Sequence, residues 1–379
     1  MKRRIIQYTT VVLAFLAGMI FMTYMTRMGN RDMTGDMAQA QLPVVHAEQD
    51  GVLYNEMHGY VEDMDGASMR DSVIGVSEDH KVGLALEKYN AQIKSVSYEV
   101  RSLDMSRLIE GGDDLQAEDD GKYLHISLTL KDLLTQGEEY LLVLKVQTED
   151  QDLVRFYSIL TYLGTNHVQD CVDFAQRFHE MTLTGDSDGV LNYLEQDGSM
   201  DGKNLGYINI HSRSGPVTWG DMQVEQIGDP SLRFTELESD ITALTMEYQV
   251  TNTETSEQYQ VREAYRLRYT STRIYLLAYE RWTDKILEPG RQLVEDGKLS
   301  FGIQSSEPVY MKNTEENVVG FVEQGQLWSY DYGQNRLSRV YGFTDGQDGR
   351  ADWKEHDFRL LKVDDTGSMD FLLYGYMNR

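Results

Sequence analysis

Apolar residues follow three different patterns along this chain. The first is an unbroken run. Residues 5–25, IIQYTTVVLAFLAGMIFMTYM, carry neither charge nor proline, and about twenty such residues let an α-helix cross a bilayer core of roughly 30 Å. The second is alternation. Val96, Tyr98 and Val100 are interleaved with polar residues, as are Leu124, Ile126, Leu128 and Leu130, and residues 140–146 and 153–160 are short apolar blocks. These predict strands, with Asp65-Gly66 and Asp120-Gly121 marking turns. Strands with no long helix between them predict an antiparallel β-sandwich.

The third pattern begins at Val168, from which Cys171, Val172, Ala175, Phe178 and Met181 recur at helical spacing. A second, short helix is expected over residues 186–194. Strand-like runs follow at 219–227, 241–250, 258–269 and 273–281. In the third of these Tyr259, Val261, Tyr265, Leu267 and Tyr269 share one face, with Gln260, Arg262, Arg266 and Arg268 on the other. A helix followed by an antiparallel sheet is an α+β arrangement. Beyond Pro289 and Gly290, short strands are expected at 299–303, 318–323, 327–332, 340–343, 358–363 and 370–376. The chain thus divides into a cytoplasmic tail (1–4), a transmembrane helix (5–26), a linker (27–41), a β-sandwich (42–164), an α+β domain (165–287) and a β-rich region (288–379). The fold class is mainly β with an α+β module.

Three local resemblances sharpen this. Leu134, Gly137 and Tyr140 have the spacing of the tyrosine corner, so residues 42–164 resemble a fibronectin type III or immunoglobulin-like domain, with Gln136 where a proline is usual. The helix-then-sheet order of 165–287 resembles the cystatin-like or NTF2-like arrangement, in which a curved sheet wraps a helix. Residues 318–343, VVGFVEQGQLWSYDYGQNRLSRVYGF, resemble a β-propeller blade. Blades run about 40–45 residues and a closed propeller needs four or more. Residues 298–379 hold about two, so this polypeptide is expected to be the front part of a longer protein. The phrases Leu42-Pro43-Val44-Val45, residues 97–103, Trp219-Gly220-Asp221 and residues 374–379 make most of the chain similar to an uncharacterised family of membrane-anchored surface proteins of Gram-positive bacteria. That resemblance implies no activity.

Charge orients the anchor. Lys2, Arg3 and Arg4 precede the apolar run, which keeps the N-terminus cytoplasmic and sends the rest outward as a single-pass ectodomain. The alternative is a cleaved signal peptide, but the run is longer than the usual apolar segment and Ala38-Gln39-Ala40 lies far beyond its end. The formal net charge of −27 over 379 residues excludes nucleic acid as a partner. With one cysteine, Cys171, there is no internal disulfide.

Reactive motifs do not emerge. There is no His-Glu-x-x-His, Cys-x-x-Cys, Gly-x-Ser-x-Gly or phosphate-binding glycine loop, and His58, His125 and His211 are scattered. No catalytic, cofactor-binding or metal-binding residue is assigned, and no cofactor is expected. Thr184, Asp186, Asp188, Gly189 and Glu195 approach a calcium loop, although aspartate capping of a short helix explains the same residues. Asp345, Asp348 and Asp352 form a second acidic loop, and Trp219, Trp328 and Trp353 are sugar-stacking or core residues. The face with Arg262, Arg266 and Arg268 either balances charge or engages a carboxylate- or phosphate-bearing polymer. Three functions follow as expectations: a binding, sensory or scaffold ectodomain with an envelope protein or wall polymer as partner, a wall-polymer hydrolase whose site lies on missing blades, or an accessory regulator of a membrane sensor kinase.

Overall fold

The computed structural model describes residues 15–19, 40–70, 72–113, 115–131, 134–149, 153–165, 167–197, 204–290, 293–295, 298–342, 350 and 356–378. The expected anchor, apart from residues 15–19, lies outside these, as do Asp345, Asp348, Asp352 and Trp353. Residues 15–19 are helical, and among the described residues no helix is long and apolar enough to cross a membrane.

From Val44 the chain is mainly β. β1 (Val44–Gln49) and β2 (Val52–His58) form a hairpin. They are followed by β3 (Val73–Ser77), β4 (Lys81–Glu87), β5 (Ile93–Arg101), β6 (Leu108–Gly112), β7 (Ala117–Asp119), β8 (Tyr123–Thr129), β9 (Glu139–Thr148) and β10 (Val154–Gly164). They build two five-stranded sheets, ordered β2-β1-β4-β8-β7 and β3-β10-β9-β5-β6. Pairing is antiparallel except between β10 and β3. The four expected strands of this region lie on β5, β8, β9 and β10; the first four strands carried no expectation. Tyr140 closes a corner as its spacing predicted. Its hydroxyl accepts from the Thr135 amide at 2.8 Å, and Gly137 supplies the left-handed turn at φ +78.

Helix α1 (Val168–Leu183) buries Val168, Cys171, Val172, Ala175 and Phe178 as its periodicity requires. Next come α2 (Ser187–Leu191), β11 (Tyr207–Asn209), α3 (Ser214–Val217), β12 (Val224–Leu237), β13 (Ile241–Asn252), β14 (Gln258–Tyr269) and β15 (Ile274–Lys285). The sheet order is β11-β15-β14-β13-β12. One expectation needs correcting here. Residues 219–223 are not strand, because Trp219 and Gly220 both take left-handed backbone, at φ +67 and +61, and the strand starts at Val224.

The last unit has a small hairpin of β16 (Val294–Glu295) and β17 (Lys298–Leu299). A four-stranded meander follows: β18 (Val309–Lys312), β19 (Val318–Glu323), β20 (Gln326–Asp331) and β21 (Arg336–Tyr341). A second hairpin joins β22 (Asp357–Val363) to β23 (Met369–Tyr374). Alternation along β19 and β20 sorts two small cores onto opposite faces. Val319, Phe321, Trp328 and Tyr330 pack with Leu293 on one face, and Leu327 packs with Phe358 and Leu360 on the other.

Two joints tie the units together. Asn55, fully buried at φ +51, bulges out of β2. It accepts from the Phe234 amide of β12 at 2.6 Å and donates to Val73 O at 2.7 Å, while Tyr54 meets Phe234 edge-on at 5.1 Å. The first two units therefore share one continuous core. At the other joint Asn378 takes the Leu42 amide at 2.6 Å and the Gln41 amide at 3.0 Å. Tyr376 donates its hydroxyl to Gly59 O at 2.9 Å.

Candidate ligand-binding groove

Strands β12–β15 hide one face beneath α1 and turn the other outward. On β13 the buried series is Leu244, Met246, Tyr248 and Val250, so period-two alternation turns Thr245, Glu247 and Gln249 out. Cross-strand register then assembles a polar floor. Gln260 and Arg262 of β14 lie opposite Gln249 and Glu247, and Trp282 of β15 opposite Arg262. Ser231 and Arg233 of β12 lie opposite Glu247 and Thr245. A groove of about 530 Å³ runs over this floor. Its walls come from the neighbouring units: Glu56 and His58 at the end of β2, Gln324 at the β19–β20 turn, and Arg350.

Charges in the groove differ in how far they are committed. Asp284 accepts from the Ser305 amide at 2.6 Å and its hydroxyl at 3.0 Å. Burial pushes the Glu56 carboxyl up, with Arg233 opposing. Burial also drives His58 down to about 3, aided by the charge of Arg233 and by His46, so this imidazole is neutral at pH 7. Arg262 lies 4.2 Å over the Trp282 ring and makes no ion pair among the described residues. Arg350, itself buried, donates to Leu42 O at 2.9 Å and Ala40 O at 3.2 Å and stacks on Tyr89.

Beneath the floor, on the face toward α1, lies a second polar cluster. Glu263, wholly buried, accepts from Tyr265 at 2.7 Å, Tyr279 at 2.8 Å and His179 Nδ1 at 3.0 Å. His179 Nε2 meets Gln226 Oε1 at 2.6 Å. Burial alone would neutralise both members of the His179–Glu263 pair. Their mutual hydrogen bond and attraction outweigh it, raising the imidazole and lowering the carboxyl. Arg281, also wholly buried, donates to Val217 O and Pro216 O and lies 4.0 Å over Trp219. With Glu263 and Arg281 closed off from water, the cluster braces the inside of the sheet against α1 and α3.

The residues picked out in the sequence scatter. Asp186 caps α2, accepting from the Gly189 amide at 2.9 Å, while Glu195 engages Ile210 through its backbone. No metal-type grouping of three or more His, Cys, Asp or Glu occurs among the described residues. Trp219 and Trp328 are buried. Cys171 packs in the core, its thiol pushed up by burial. His125 sits between Glu48 at 2.8 Å and Asp120 at 3.2 Å, and His211 meets Glu195 O. Of the arginine face only Arg262 lines the groove; Arg266 is held by both oxygens of Glu236. His58 also reaches the groove. Trp282 and Arg350 escaped the sequence reading, since neither stands in a motif.

No family model and no curated protein matches this chain. Among solved structures, the crystal structure of CopC from Methylosinus trichosporium OB3b is similar at 14% identity and a TM-score of 0.19, covering 29% of this chain and 98% of that one.

Proposed function

We propose that this chain is a membrane-anchored, extracytoplasmic binding or sensory protein of the cell envelope, without catalytic activity, whose ligand sits in the groove over β12–β15. The observation that carries this reading is that all three units wall one groove, and that one wall residue, Arg350, also grips the carbonyls of Ala40 and Leu42. Residue 40 lies at the far end of the expected tether from the bilayer, residues 27–41. A ligand that displaces Arg350 therefore pulls on the segment leading to the anchor, which is the geometry a sensor needs.

Binding rather than turnover is supported by the state of two lining groups, His58 and Asp284. The imidazole of His58, held down to about 3, is a poor proton carrier at neutral pH, where a general acid–base needs a matched value. Asp284 is tied to Ser305. The finer architecture belongs to the same proposal. The first unit is fibronectin-like, supported by the Tyr140 corner. The second is a cystatin- or NTF2-like sheet around α1, and the third is a propeller-like stack, in a surface protein of the Gram-positive type. Protease added to intact cells tests the placement. It should remove the ectodomain and leave a fragment in the membrane, whereas full protection until lysis would contradict it.

A further inference from the structure

We infer that the groove binds an acidic oligosaccharide, a short chain of sugar rings bearing carboxylates; this rests on the binding reading above and names its ligand class. The floor strands β13 and β14 are interior to their sheet, each paired on both sides. Their backbone groups are spent, so an extended peptide cannot add as a strand over the middle of the floor, and β12 is the edge strand there. The floor offers the hydroxyl of Thr245 and the amide of Gln249, which donates to Gln260 Oε1 at 3.3 Å, while the Gln260 nitrogen is itself spent on Tyr248 O and Val261 O. Neighbouring donors and acceptors of this kind suit the hydroxyls of a sugar.

The acidic component follows from Arg262. Its guanidinium is laid on Trp282 with no carboxylate partner among the described residues, so the fork of N–H groups is pre-oriented toward a planar carboxylate. Glu247, opposite Arg262, stands in a lining that also holds Glu56, Asp229 and Asp284 beside Arg233 and Arg350, which disfavours a densely charged polyanion such as a nucleic acid and favours a ligand of sparser charge. The floor crosses four strands, three spacings of about 4.8 Å, which is the width of an oligomer rather than of one ring.

The test is titration calorimetry on the full chain in detergent, using tetragalacturonate, its methyl ester and chitotetraose as probes. Tetragalacturonate should bind, and R262Q should weaken it by roughly tenfold or more. The methyl ester should lose a similar factor. R266Q, which alters an arginine of the same strand outside the groove and paired with Glu236, should bind as the parent does. Equal affinity for ester and acid overturns the ligand class. So does silence from all three probes, or binding of chitotetraose alone; if R262Q abolishes that last binding, the groove itself survives. Binding of tetragalacturonate that is unchanged in R262Q overturns both the ligand class and the groove.

Discussion

At the scale of single residues, His58 shows how the groove wall couples to acidity. Its folded-state value of about 3 lies below the ordinary 6.5 because burial, Arg233 and His46 all disfavour the imidazolium. A depressed value means that the unfolded chain takes up a proton before the folded one does. The stability His58 contributes is therefore complete above pH 6.5 and drains away as pH falls toward 3, by up to about 1.4 kcal/mol per pH unit. Denaturant titrations between pH 7 and pH 4 should show H58Q losing less stability on acidification than the parent; parallel curves would refute this origin. Glu263 carries a different lesson. The alternation that puts Tyr259, Val261 and Tyr265 inside puts Glu263 inside as well, so a buried carboxylate was implied by parity. Its partners were not, because His179, Gln226 and Tyr279 stand on other elements.

At the scale of elements, periodicity was informative wherever one face of an element is buried. It placed α1 and the strands β5, β8, β9, β13 and β14 close to their true limits. It failed where backbone conformation interrupts the pattern. Residues 219–227 look strand-like by composition, yet the left-handed pair Trp219-Gly220 ends a short helix there. The β2 bulge at Asn55 is another such place. A polar residue at a fully buried position is tolerated because it satisfies one backbone group on β12 and another on β3. N55A removes both hydrogen bonds and leaves alanine at φ +51, at a cost of roughly 2–4 kcal/mol. N55G should recover only the backbone share. Chemical denaturation decides this, and a loss in N55A no larger than that of a surface substitution would mean that the joint between β2 and β12 does not depend on Asn55.

For the whole molecule, no single unit owns the groove. Its floor belongs to β12–β15, one wall to the sandwich and another to the C-terminal unit. Contacts of this range join residues hundreds of positions apart, as Asn378 joins Leu42, and no local pattern announces them. That is why the arginine face could be read from the sequence while the walls that make it a groove could not. The central claim is that this groove is open and faces the outside of the cell. The native thiol of Cys171 is buried, so a single added cysteine reports alone. With Gln249→Cys on the groove floor, a membrane-impermeant maleimide applied to intact cells should label the protein as fast as it does after lysis. Labelling that appears only once the membrane is broken, or not at all until the chain is unfolded, would contradict the account.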